Sequence, residues 1–196
     1  MNRNNSKNSG KGLRKFHYTI CKYLPQIIRD GQIDLATAGC FRKREHAVWV
    51  STNEFWEESA NKSYRANGQI YLGDRETTRI VGGGLARIEV NPKSALFNWT
   101  HYVKKSKTPG RLQRAMESIA FESGADPSEW YAGFKPINKN DWYRIEVFDR
   151  DEQCWKPYSK ELDGTTEQHI GKESHLGYIY VRPYNAFTIG RITKAL

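Results

Sequence analysis

Apolar positions along this chain come in short runs separated by polar and glycine-rich stretches, with two stripes at helical spacing. Residues 15–20 (KFHYTI) have the pattern of a strand. Leu24, Ile27 and Ile28 then fall at helical spacing within 23–30. Pro25 sits in the first turn, where its missing N–H is harmless, and Gly31 is the stop signal. Residues 47–50 (AVWV) form an apolar run that reads as a buried strand. Ser51-Thr52-Asn53 supplies N-cap side chains directly after it. Glu54, Glu57 and Glu58 fall where a helix dipole favours acids, so a helix is expected there.

Residues 69–72 and 79–90 read as strands separated by the polar segment 73–78. Gly82-Gly83-Gly84 interrupts the second of them and lacks a phosphate-loop frame, so a bulge or tight bend is expected. A further short strand is expected at 95–99. Pro109-Gly110 turns the chain after the basic run 104–107. Residues 111–123 form the second helical stripe, carried by Leu112, Met116, Ile119 and Ala120 and closed by Gly124. Asn138–Asp141 is a polar turn, and 142–148 reads as a strand. Weaker strand-like pieces lie at 178–181 and 187–192. Strands outnumber helices and lie in runs rather than strict alternation, which predicts an α+β domain.

With 196 residues the chain fits one domain. Residues 1–14 read as a basic flexible arm, 15–196 as the domain, and 150–196 as an extension whose role the pattern leaves unassigned. The polar, basic start is not a secretory leader, and no window approaches the roughly 18 apolar residues of a membrane span. Three cysteines without C-x-x-C spacing argue against a disulfide framework or a zinc site, and for reduced thiols in the cytoplasm. A net charge of +9 favours encounter with polyanions. Six Trp and eleven Tyr interleaved with Lys and Arg suit single-stranded nucleic acid, where bases stack on rings and cations hold phosphates. A basic surface over an aromatic core accounts for the same composition, and both readings stay open.

Three segments carry candidate chemistry. His17-Tyr18-Thr19 lies on a strand immediately before a helix. Val48-Trp49-Val50-Ser51-Thr52 is a strand ending in two hydroxyls, followed by Trp56-Glu57. Glu129 precedes an extended segment, Trp130-Tyr131.

Taken in this order, the segments resemble the ADP-ribosyltransferase superfamily. The resemblance covers about residues 15–147. His17-Tyr18-Thr19 followed by Leu24-Pro25-Gln26-Ile27-Ile28 and Gly31 looks like the H-x-T strand and following helix of DarT-type toxins, which modify nucleic-acid bases. Glu129-Trp130-Tyr131, then Lys135-Pro136-Ile137, Trp142, Ile145 and Val147, has a comparable cadence to the segment after their catalytic glutamate. Pro127 stands two residues before Glu129, so the Q-x-E or E-x-E signature of the arginine-modifying branch is missing.

The resemblance implies an ADP-ribosyltransferase-like α+β domain with mixed central β-sheets and flanking helices. It implies NAD as donor substrate, no metal, and Glu129 as the catalytic carboxylate. His17, Tyr18 and Thr19 would line the dinucleotide site, with His17 donating to the adenosine ribose. Ser51 and Thr52 would lie by the nicotinamide ribose. Arg42 or Arg44 would hold the pyrophosphate, and Tyr64 or Tyr71 would cover the nicotinamide ring. The implied activity is mono-ADP-ribosylation of RNA or DNA by a toxin or defence effector, with a neutralising antitoxin protein as a further partner and no membrane. Two alternatives remain open: an NAD-dependent RNA 2′-phosphotransferase relying on Arg42, Arg44 and His46, and a non-catalytic nucleic-acid-binding module.

Overall fold

The computed structural model describes residues 13–37, 40, 42–66, 69–159 and 182–183. Its opening follows the sequence pattern. Strand β1 (Lys15–Ile20) passes through a single 3-10 turn into helix α1 (Leu24–Asp30). Gly31 caps that helix at φ +67°, a left-handed conformation that favours glycine, and its N–H donates to Ile27 O at 3.0 Å. Then come β2 (Gln32–Ile33), β3 (Val48–Ser51), β4 (Lys62–Ala66), β5 (Gln69–Leu72), α2 (Arg75–Val81), β6 (Leu85–Val90) and β7 (Phe97–Asn98). Helices α3 (Trp99–Ser106) and α4 (Gly110–Glu122) follow. Strands β8 (Trp130–Gly133), β9 (Ile137–Asn138), β10 (Trp142–Asp149), β11 (Cys154–Pro157) and β12 (Arg182–Pro183) complete the described chain.

The architecture is α+β. Seven strands form one sheet in the order β11-β10-β6-β1-β3-β8-β7, with small sheets β12-β4-β5 and β2-β9 beside it. Pairing is antiparallel throughout the described residues, where mixed sheets were expected. No strand–helix–strand crossover joins neighbours running the same way, and parallel pairing needs that connection.

Register assigns the two faces of the large sheet. Phe16, Tyr18 and Ile20 lie opposite Glu89, Arg87 and Leu85, while His17 and Thr19 lie opposite Ile88 and Ala86. On the first face, α3 and α4 bring Trp99, Tyr102, Met116 and Ala120 onto Trp130 and Ala132. On the second, Leu24 of α1, Ile33 and Ile137 cover Val48, Val50, Ala86, Ile88 and Val90. Each such large apolar side chain contributes about 1.5–3 kcal/mol on burial. All six residues of β6 are buried, including the charged Arg87 and Glu89. Arg87 Nε donates to Glu146 Oε2 at 2.7 Å, and the guanidinium lies over the rings of Phe16 and Trp155, 4.3 and 4.5 Å from their centroids. Arg14 is tied to the sheet through Glu89, at 3.0 and 2.9 Å.

Three local expectations change. Residues 52–57 are not helical: Asn53 Oδ1 accepts from Phe55 N, a local turn that competes with capping, and only a 3-10 turn at Glu58–Ala60 follows. The expected strand 79–90 divides into α2 and β6. Asp74 Oδ1 accepts from Thr77 N at 2.7 Å and starts the helix, and Gly82-Gly83-Gly84 turns the chain into the strand. Only Phe97–Asn98 of the expected 95–99 strand is extended, because Asn98 Oδ1 caps α3 by accepting from His101 N at 3.0 Å. Strands β4 and β11 carried no signal that the pattern singled out. The pieces expected at 178–181 and 187–192 lie outside the described residues, as do residues 1–12 of the arm.

Candidate functional site

Strands β1 and β3 are registered at one position, Phe16 opposite Ser51. Beyond it the neighbouring ladder position is filled by a side chain. His17 Nδ1 lies 2.9 Å from Trp49 O. A carbonyl only accepts, so Nδ1 carries the proton. Burial pushes the His17 pKa down to about 4, and the nearby positive charge of Lys62 pushes the same way. The ring is therefore neutral at physiological pH and presents Nε2 as an acceptor. That reverses the donor role expected for His17 toward a ribose hydroxyl: this tautomer accepts from one.

A half-open cavity of about 130 Å³ lies at this junction. His17, Ser51 and Trp49 line it from the two strands, Glu57 and Lys62 from the following segment, and Trp130 from β8. Its volume is on the scale of cavities that hold a single aromatic ring.

The third motif meets the second at the edge of this region. Asp126 caps a 3-10 turn at Pro127–Glu129 by accepting from Ser128 N at 2.8 Å, and β8 starts at the next residue. Thr52 N donates to Glu129 O at 3.0 Å, and Asn53 Nδ2 donates to Glu129 Oε2 at 3.1 Å. Ser51 Oγ accepts from Asn53 N at 3.1 Å. The partly exposed Glu129 carboxylate is thus held against the end of β3, beside the two hydroxyl residues, although Glu129 and Thr52 themselves are not part of the cavity wall. Asn53 carries this connection, and the sequence pattern treated it only as a cap.

The remaining candidates separate. Tyr18 lines the cavity, but its hydroxyl donates to Asn53 O and its ring packs edge-on to Trp56 at 5.2 Å, so it acts as a brace. Burial raises its pKa to about 12. Thr19 is buried opposite Ala86 and is not part of the cavity wall. Arg42 and Arg44 are exposed around the turn Lys43–Glu45, where Arg42 N donates to Glu45 Oε2 at 3.2 Å, and they lie outside the wall, as does His46. Tyr64 and Tyr71 face each other across β4 and β5 with stacked rings 5.4 Å apart, also outside it.

Two charged residues that received no site role from the sequence line the cavity. Glu57 Oε1 accepts from Trp130 Nε1 at 3.0 Å and from Ser59 N and Oγ at 3.1 and 2.7 Å, while Oε2 is buried with no partner among the described residues. Lys62 is 6% exposed, its ammonium makes no ion pair or hydrogen bond among the described residues, and burial lowers its pKa to about 8. Only the packing reveals their placement: in sequence Glu57 follows the second candidate segment and reads as a helix-start acid, and Lys62 reads as one surface cation among many.

No protein-family model, curated protein or solved structure matches this chain. Among the described residues no cluster of His, Cys, Asp and Glu is arranged to hold a metal, Cys21, Cys40 and Cys154 form no disulfide, and no helix is long and apolar enough to cross a membrane.

Proposed function

We propose that this protein is an NAD-dependent mono-ADP-ribosyltransferase with an ADP-ribosyltransferase-like fold. It modifies a base of RNA or DNA as a cytoplasmic toxin or defence effector that an antitoxin protein neutralises. One observation carries the reading. The three sequence segments that resemble that superfamily fall on the adjacent strands β1, β3 and β8, and the Glu129 carboxylate is hydrogen-bonded to the residue that follows Ser51-Thr52.

NAD supplies an ADP-ribosyl group on a weak ribose–nicotinamide bond whose rupture places positive charge on the ribose. The fixed Glu129 carboxylate is suited to stabilise that charge and to orient a ribose hydroxyl. It is equally suited to take a proton from the attacking base. Thr52 holds the Glu129 backbone, and Ser51 holds Asn53, which holds the carboxylate. Neutral His17 accepts from a hydroxyl through Nε2. Trp49 and Trp130 give the cavity flat apolar walls, and only part of a dinucleotide would enter it. The +9 net charge favours a polyanionic acceptor.

The test is nicotinamide release from NAD, followed by chromatography with and without added RNA or DNA. Release stimulated by one polymer supports the reading. No release under any condition, with RNA or DNA bound and a steep salt dependence, favours the non-catalytic binding module instead.

A further inference from the structure

A buried ammonium without a counter-ion is costly in a folded protein, by several kcal/mol even after relaxation. Lys62 is in that position at a cavity wall. The same wall carries a carboxylate oxygen, Glu57 Oε2, that is buried and unpartnered among the described residues, although Oε1 of that group takes three donors. Oε1 anchors Glu57 by capping the 3-10 turn and holding Trp130, but packing explains neither the open Oε2 nor the Lys62 ammonium. Lys62 sits at the start of β4, where its backbone alone is engaged: its N–H donates to Thr78 Oγ1 at 2.8 Å, and its carbonyl accepts from Gly73 N at 3.1 Å. The backbone would hold its place with any side chain there. The side chain is therefore free to serve a ligand.

The two groups ask for complementary things. An ammonium seeks an anion. A carboxylate oxygen seeks an O–H or N–H. A ligand that satisfies both carries an oxyanion and a hydroxyl or amide on one small body, as a nucleoside phosphate does. The neutral His17 beside them adds an acceptor and no competing positive charge.

We infer that Lys62 binds a phosphate of the nucleotide in this cavity and that Glu57 Oε2 accepts a hydroxyl or N–H from the same molecule, displacing Arg42 and Arg44 as the phosphate ligands. The identity of the nucleotide as NAD rests on the transferase reading, while the anion site itself does not. Lys62 and Glu57 bind and position the nucleotide, and neither touches a bond that is made or broken.

The experiment titrates the full chain with three probes: NAD, inorganic pyrophosphate and nicotinamide riboside, which lacks the pyrophosphate. Wild type is compared with Lys62→Met, Arg42→Gln and Arg44→Gln by calorimetry. Lys62→Met removes an unpaired buried charge at similar volume, so it folds and melts no lower than wild type. It should weaken NAD and pyrophosphate binding by on the order of tenfold or more, the size of one lost charge-assisted contact, and leave nicotinamide riboside nearly unchanged. Glu57→Gln keeps a group that can bond Trp130 and Ser59, and it should weaken nicotinamide riboside as well as NAD. Lys62-dependent pyrophosphate binding without NAD binding would keep the anion site and overturn the transferase reading. NAD binding that survives Lys62→Met and falls in Arg42→Gln or Arg44→Gln would overturn the inference and leave the transferase reading standing. Binding of none of the probes would overturn the inference.

Discussion

The side-chain amide of Asn53 donates to Glu129 Oε2 at 3.1 Å, joining positions 76 residues apart. The backbone repeats the connection one residue earlier, through Thr52 N and Glu129 O. The carboxylate is thereby fixed before any substrate arrives, and electrostatic stabilisation depends on that preorganisation. Glu129→Gln keeps an oxygen for Asn53 and removes the charge. It should lower NAD turnover about 100-fold or more, the scale of losing one preorganised electrostatic group. The melting temperature should stay within about 2 °C, as for a partly exposed site. Asn53→Ala leaves the charge but frees its position, and a loss of about tenfold is expected. Equal activity of Glu129→Gln and wild type would remove Glu129 from the chemistry.

His17 makes stability depend on acid. Its folded pKa of about 4 lies below the unfolded value of 6.5. Between these two values the unfolded chain binds a proton that the folded chain refuses. Its contribution is fully present above 6.5 and is lost as pH falls toward 4, by up to about 1.4 kcal/mol per pH unit. His17→Asn can still donate to Trp49 O and does not titrate. Urea unfolding across this window should show a shallower pH slope in the variant than in wild type.

Lys62 acts on the alkaline side, facing His17, Asp34 and Glu57 across the same cavity. Its folded pKa of about 8 lies below the ordinary 10.5, so the unfolded chain holds more protons between these values. Wild-type stability should therefore rise as pH climbs from 8 to 10.5, by on the order of 3 kcal/mol. Lys62→Met should be the more stable protein at pH 7 and should lose the rise. Parallel unfolding curves for the two proteins over that range would contradict the burial of this charge.

The Arg87–Glu146 pair spans β6 and β10 with both side chains buried, so removing Arg87 leaves Glu146 only the longer contact to Arg144 at 3.9 Å. Arg87→Met should cost about 3–5 kcal/mol in denaturant unfolding. Replacing both residues, Arg87→Met with Glu146→Leu, should recover most of that loss. A double variant as unstable as the single one would show that the guanidinium acts through Phe16 and Trp155 rather than through Glu146.

The chain's local signals reached the elements whose ends are written in single residues. Pro25 and Gly31 bracket α1, and Gly124 at φ +84° closes the turn after α4. They failed where a side chain can serve two structures. Asn53 could cap a helix, but it instead bonds Phe55 N through Oδ1 and Glu129 through Nδ2. Thr77, Thr78, Ile80 and Val81 favour strands, yet the Asp74 cap and the glycines after Val81 make that stretch α2. At the site, Glu129 and Ser51-Thr52 could be picked out because motif order survives in sequence. Glu57 and Lys62 could not, because unpaired burial is a property of packing alone.

The most direct measurement incubates the purified protein with NAD labelled in the ADP-ribose moiety, separately with RNA, DNA and a protein extract. The account predicts label in RNA or in DNA, at a base, with equimolar nicotinamide released and with both signals lost in Glu129→Gln. Label in protein alone would contradict the nucleic-acid acceptor. No label in any polymer and no nicotinamide released would contradict the transferase.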